Sequence, residues 1–145
     1  MATIAPGGEV LNMREEASDL NNFLDQSVLA SLRELQDEGD PDIVAEVGGL
    51  FLKHSPDKVK AILEALEKDD SKGLYLAAHG LKSSSAYIGA MRLSALARDL
   101  EMMGRSGAME GARDAAERLQ EEFNLATKAL QAEIARSDKQ QKKIQ

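Results

Sequence analysis

The sequence predicts an all-α protein, an antiparallel four-helix bundle with additional short N-terminal helices. Three observations lead there. Ala, Leu, Glu, Lys, Gln, Arg and Met dominate the 145 residues, and these favour helix. β-branched residues are sparse, and no segment alternates apolar and polar residues long enough for a sheet. Gly and Pro fall where they punctuate stretches of helical apolar spacing. Amphipathic helices with short connections pack as an antiparallel bundle.

Residues 1–20 are read as an N-terminal extension, either a linker or partly helical, with Pro6-Gly7-Gly8 breaking any early helix. Leu11, Leu20, Phe23 and Leu24 leave room for a short packing helix. The bundle itself is expected over residues 21–135. Val28, Leu29, Leu32 and Leu35 have helical spacing. Gly39-Asp40-Pro41 then reads as a junction: Gly after one helix, Asp40 as N-cap, Pro41 in the first turn of the next. That helix carries Ile43, Val44, Val47, Leu50 and Phe51. His54-Ser55-Pro56 repeats the grammar, with His54 at a helix C-terminus, Ser55 as N-cap and Pro56 at the first helical position. The third helix carries Val59, Ile62, Leu63 and Leu66. Asp69-Asp70-Ser71 offers caps for a fourth, over residues 72–88, which Gly89 ends. A fifth spans 90–104 with Leu93, Leu96, Leu100 and Met103. Gly104, Gly107 and Gly111 mark the next connection. The sixth is long and carries Ala115, Leu119, Phe123, Ala126, Leu130 and Ile134. Residues 136–145 form a polar tail, expected to fray.

Composition excludes several classes of function. Cys is absent, which rules out a disulfide framework, thiol catalysis and Cys-ligated metals. Lys and Arg number 18 against 25 Asp and Glu, a net charge of −7 that repels a phosphate backbone. Aromatic residues are 3% of the chain and Trp is absent, so stacking platforms for bases are missing. No apolar run approaches the roughly 20 residues of a membrane span, and no basic-then-apolar leader opens the chain. A cytoplasmic protein without nucleic-acid or membrane partners is expected. No pattern calls for a dimer, so a monomer is expected. Neither His54 nor His79 has an acidic residue three positions earlier, where Phe51 and Leu76 stand. A carboxylate-bridged metal bundle needs such pairs, so no metal or other cofactor is expected.

The fourth helix carries the functional signal. Each residue turns about 100° around the axis. Leu74, Ala77, Leu81, Ser84 and Ile88 then share one side, flanked by Ala78 and Ser85, which marks the core stripe. Opposite them lie Tyr75, His79, Lys82, Ser83 and Ala86. His79 therefore faces solvent, with a cation at i+3 and a small hydroxyl residue at i+4. An exposed neutral imidazole is a good nucleophile near pH 7. A phosphoryl group on it would carry about two negative charges, which Lys82 could partly neutralise. Apart from the Tyr75 ring this face is low, which suits docking by another protein and does not enclose a small molecule. On the fifth helix Arg98, Glu101 and Arg105 are spaced to form a polar stripe opposite Leu93, Leu96 and Leu100. If the two helices are antiparallel, that stripe flanks His79. Taken alone, an exposed His with a Lys one turn on is commonplace.

The run Ala77-Ala78-His79-Gly80-Leu81-Lys82-Ser83-Ser84-Ser85-Ala86-Tyr87-Ile88-Gly89-Ala90 is specific. It resembles the signature of histidine-containing phosphotransfer (HPt) domains of two-component phosphorelays, roughly A-H-x-L-K-[GS]-[SA]-[SA]-x-x-[IL]-G-A. The resemblance continues through Leu93, Leu96, Leu100-Glu101 and Arg105-Ser106-Gly107, reaches upstream to Phe51, Pro56 and Leu66–Asp70, and covers about residues 24–132. It implies a four-helix bundle with a small helical cap. His79 matches the phospho-accepting His, and Lys82 the basic residue that helps hold the phosphoryl oxygens. Ser83 matches a position that is often Gly, where small size lets a receiver approach. Glu101 stands where some members have a Gln bonding the imidazole, and here a carboxylate would favour the productive tautomer. Arg105 matches a basic site near the pocket in some members.

The implied function is that of a phosphorelay intermediate. His79 would take a phosphoryl group from a receiver's phospho-Asp and pass it to another receiver, with a hybrid sensor kinase as a further partner. Tyr75, Ser83, Ala86, Arg98, Glu101 and Arg105 would meet the partner. Mg²⁺ would belong to the receiver, and this chain would need no cofactor of its own. No G-x-x-x-x-G-K-[ST] is present, so ATP-dependent kinase activity is not expected. The alternative is a non-phosphorylated helical adaptor that binds and modulates a receiver or kinase.

Overall fold

The structure, a computed structural model, describes the backbone of residues 23–144 and the side chains of residues 23–137. The expectations for residues 1–20 therefore lie outside the described residues. Among the described residues five helices follow one another: α1 (Gln26–Glu34), α2 (Ile43–Glu67), α3 (Ser71–Tyr87), α4 (Met91–Ser106) and α5 (Ala112–Ile144). Among the described residues there is no strand. No helix among them is long and apolar enough to cross a membrane.

Local chemistry sets three helix starts. Asp25, Asp42 and Asp70 each turn a carboxylate onto the first turn, accepting from the backbone N–H groups of Ser27, Val44 and Gly73. These bonds satisfy donors that a helix start leaves without partners. α4 has Ala90 at its N-cap and no side-chain cap. The turn before it depends on Gly89, whose φ of +86° favours glycine. The Gly89 carbonyl accepts from Asp25 N–H at 2.7 Å, which fastens the entry to α1 against the α3–α4 turn.

Helices α2 to α5 run alternately up and down. Gly48 near the start of α2 lies against Leu130 and Ile134, far along α5, and Phe51 meets Phe123 with ring centroids 6.2 Å apart. Gly104 at the end of α4 lies against Ser71 and Tyr75 at the start of α3. Leu29, Ile62, Leu74, Leu81, Leu93, Leu100, Leu119 and Leu130 fill the interior, so every helix contributes a fully buried side chain. α1 caps one end of the bundle. Glu133 on α5 is buried there and accepts from Gln26 Nε2 at 3.1 Å and Arg33 Nη2 at 3.2 Å, with Arg136 beside it.

The structure corrects the sequence reading at several junctions. His54-Ser55-Pro56 is no break: α2 runs through Pro56 without interruption. Phe51, Ser55, Val59 and Ile62 make one continuous buried stripe, whereas Pro56 is exposed. Burial along that stripe outweighs the roughly 3 kcal/mol that Pro costs a helix interior. Ser55 is accordingly no N-cap, and its hydroxyl donates to the Phe51 carbonyl at 2.5 Å. His54 stands mid-helix and exposed. At the earlier junction the cap is Asp42 and not Asp40, so Pro41 precedes the helix; the Asp40 carboxylate instead accepts from Asp37 N–H. The buried stripe of α3 is Leu74, Ala78, Leu81 and Ser85, with Ala77 and Ser84 half-buried, a small rotation from the predicted one. Gly104 lies inside α4 and not in the loop, which starts at Gly107. The α5 backbone continues as helix through residues 136–144, where a polar tail was expected.

Candidate functional site

The site lies on the outer side of α3 and α4. Three residues join these helices, so they lie antiparallel and close together. Ser94 Oγ of α4 donates to the Lys82 carbonyl of α3 at 2.9 Å. One turn from Glu101, Gly104 lets the two backbones touch: a Cβ there would stand 2.6 Å from Tyr75 N.

His79 projects from the middle of α3 with its side chain 54% exposed. Its Nδ1 lies 2.5 Å from Oε2 of Glu101. Lys82, one turn on, places Nζ 2.7 Å from Oε1 of the same carboxylate. Glu101 is itself buried. The Lys82 ammonium, aided by the hydrogen bond with His79, holds the Glu101 carboxyl below the usual carboxylate range, while burial opposes them. Glu101 is therefore ionised at neutral pH and can only accept hydrogen bonds. The proton between Glu101 and a neutral His79 must then sit on Nδ1. That tautomer leaves a lone pair on Nε2, the ring nitrogen away from Glu101, on a side chain that is half exposed.

The other predicted residues fall around this triad to different degrees. Tyr75 is half-buried and stacks on His79, with ring centroids 6.0 Å apart and planes 28° apart. The Arg105 guanidinium lies 5.4 Å from the centre of the Tyr75 ring, so it reaches the site through Tyr75. Ser83 is exposed and its hydroxyl donates to the His79 carbonyl at 3.2 Å, which keeps the surface low. Ala86 is half-buried further along α3. The polar stripe predicted on α4 is divided: Glu101 is buried against α3, whereas Arg98 and Arg105 are exposed. Among the described residues no hydrogen bond or ion pair joins Arg98 to His79, Lys82 or Glu101.

Sequence reasoning missed three contributors. Gly104 and Ser94 bring α4 onto α3, and only helix pairing reveals them. The third is an apolar rim where α3 meets α2. Leu50 and Tyr87 are exposed at a groove of roughly 410 Å³ between α2 and α3, floored by Val47, Phe51 and Ile88. Leu76 is exposed on the same outward side of α3 as Gly80, Ser83 and Tyr87. Their near-four spacing is the signal the sequence offers for this face.

Comparison with known proteins gives the family. The family model described as the Hpt domain matches residues 46–139. Histidine-containing phosphotransfer protein 4 of Arabidopsis thaliana is 32% identical over 114 residues, covering 77% of this chain and 89% of that protein. Pseudo histidine-containing phosphotransfer protein 2 of Oryza sativa subsp. japonica is 29% identical over 131 residues, covering 86% and 87%. The crystal structure of histidine-containing phosphotransfer protein B from Pseudomonas aeruginosa PAO1 superposes with a TM-score of 0.72 at 28% identity, covering 79% of this chain and 96% of that one. A helical bundle that matches this family over most of its length, and carries His79 within the signature run, belongs to the Hpt domain family of phosphorelay histidine phosphotransfer proteins.

Proposed function

We propose that this chain is a phosphorelay intermediate that carries a phosphoryl group on Nε2 of His79 between receiver domains. The observation that carries the reading is the short contact between Glu101 and Nδ1 of His79. It leaves the nucleophilic lone pair on the outward nitrogen. When a receiver docks over α3 and α4, Nε2 attacks the phosphorus of the receiver's aspartyl phosphate. The N–P bond forms as the acyl O–P bond breaks, and the aspartate leaves as a carboxylate. The ring keeps its Nδ1 proton and becomes cationic, and Glu101 balances that charge. Lys82 holds a positive charge beside the incoming phosphoryl oxygens. Transfer onward reverses the same events with a second receiver.

The division of labour follows from what each side holds. This chain supplies a positioned nucleophile, and positioning is a large share of catalysis in phosphoryl transfer. The receiver brings the Mg²⁺ and the activated phosphoryl group. Tyr75, Ser83 and Ala86 form the approach surface, with Arg98 and Arg105 at its edge. No ATP-dependent kinase activity is part of this reading, which places the chain in the cytoplasm as a monomer.

The relay is tested by charging the chain from one labelled receiver, removing that receiver and adding a second. Label that moves to the second receiver supports the relay. Label that stays on His79 with every receiver tried, or returns only to water, contradicts it.

A further inference from the structure

Gly104 is buried in α4, one turn beyond Glu101. A Cβ built on it would stand 2.6 Å from Tyr75 N, 2.7 Å from the Ser71 carbonyl oxygen and 3.0 Å from Tyr75 Cα. All three are backbone atoms of α3, so no side-chain rotation relieves the clash. Ordinary contact lies at about 3.5–4.0 Å, so a methyl group here would part the helices by about 1 Å. Gly48 offers the contrast. A Cβ there meets only the side-chain ends of Leu130 at 3.0 Å and Ile134 at 3.1 Å, which can turn aside.

The consequence falls on the site. Glu101 leaves α4 one turn away and crosses to α3 to reach Nδ1 of His79 at 2.5 Å and Lys82 at 2.7 Å. An added 1 Å takes the first contact to the limit of a hydrogen bond and the second beyond it. Tyr75, whose backbone Gly104 touches, also stacks on His79. We propose that Gly104 is a positioning residue for phosphotransfer: its missing side chain sets the α3–α4 spacing at which Glu101 fixes the His79 tautomer. The claim about phosphotransfer rests on the reading of His79 as the phosphoryl acceptor, whereas the tautomer can be measured without any receiver.

The test is ¹⁵N NMR of the His79 ring in wild type, Gly104→Ala and Gly48→Ala at a pH where the ring is neutral. Wild type is expected to show the Nδ1–H tautomer. In water, histidine prefers its proton on Nε2, so Gly104→Ala is expected to lose the dominance of Nδ1–H while Gly48→Ala keeps it. In transfer kinetics Gly104→Ala is expected to slow the step within the complex roughly tenfold or more, with KM for the receiver unchanged. A folded Gly104→Ala protein that keeps the wild-type tautomer overturns the proposal. Should that variant fail to fold, Glu101→Asp decides. It withdraws the carboxylate by about one methylene and leaves the helix contact alone. Loss of the Nδ1–H tautomer in Glu101→Asp supports the spacing argument, and its retention overturns it. If the tautomer shifts as expected but wild type takes no phosphoryl group, the positioning of His79 stands and the phosphorelay reading falls.

Discussion

One carboxylate holds both functional side chains of α3: Oε2 of Glu101 lies 2.5 Å from Nδ1 of His79, and Oε1 lies 2.7 Å from Nζ of Lys82. Each oxygen has its own donor, and the group is buried between the helices. Glu101 thus orients the ring, fixes its tautomer and stands ready to balance an imidazolium charge.

Removing that carboxylate should separate these duties. Glu101→Ala is expected to slow phosphotransfer about 10–100-fold, from the loss of a charge-assisted hydrogen bond worth about 1.5–3 kcal/mol. Glu101→Gln is expected to lose less, because its single amide oxygen can serve Lys82 or His79 but not both. Single-turnover kinetics from a charged receiver checks the order. Equal rates for wild type and Glu101→Ala would contradict the role.

Acid should expose the same group in stability. The Glu101 carboxyl is held below its ordinary value of 4.5 in the folded protein, chiefly by Lys82. The folded state therefore binds fewer protons than the unfolded chain just below that value. The stabilisation is present above pH 4.5 and is lost as pH falls through the folded pKa. Buried Glu122 works in the opposite sense, since burial raises its pKa and Arg92 only partly opposes this. The useful comparison is thus wild type against Glu101→Gln. Urea midpoints at pH 6.5 and 3.5 should show a larger acid loss in wild type, and an equal loss would contradict the account.

Glu133 should act as the latch for α1. It is buried and accepts from Gln26 and Arg33 of that helix. Glu133→Ala is expected to destabilise the protein by about 1–3 kcal/mol and to speed amide exchange across residues 26–34. Amides of α3 around Leu81 should keep their protection. Unchanged exchange in α1 would show that Leu29 and Leu32 suffice to hold it.

Pro56→Ala should stabilise the protein. Pro56 is exposed within α2, where it cannot donate to the Leu52 carbonyl. Ala restores that donor and is expected to add about 1–3 kcal/mol. A thermal melt checks the sign, and a fall in Tm would mean that the proline's restriction of the unfolded chain outweighs its cost to the helix.

Pro56 also shows where the sequence could and could not be read. A Ser-Pro pair has the local chemistry of a helix start, and only burial on both sides of it reveals one helix. The bundle was legible because Leu74, Leu81, Leu93, Leu100, Leu119 and Leu130 recur at helical spacing, and all six are fully buried. His79 and Lys82 were legible as an outward pair within a specific run. The depth of Glu101 was not, because its place on α4 is polar by local spacing and becomes interior only when Gly104 brings α3 against it. Arg98 shares the same local pattern and stays exposed: one helix's pattern does not say which of its polar residues a neighbour covers. The cap at Asp42 was missed because Asp40 and Asp42 both flank Pro41 and only the backbone chooses between them.

The most direct test of the central claim is phosphotransfer from a ³²P-labelled receiver to wild type and His79→Gln, followed by acid and alkali treatment. His79 is half exposed and outside the core, so the variant should remain folded. The account predicts label on wild type alone, labile in acid and stable in alkali, as a phosphorus–nitrogen bond requires. Label on His79→Gln would place the acceptor elsewhere. A wild-type protein that binds charged receivers and takes no label would contradict the phosphorelay reading in favour of a helical adaptor.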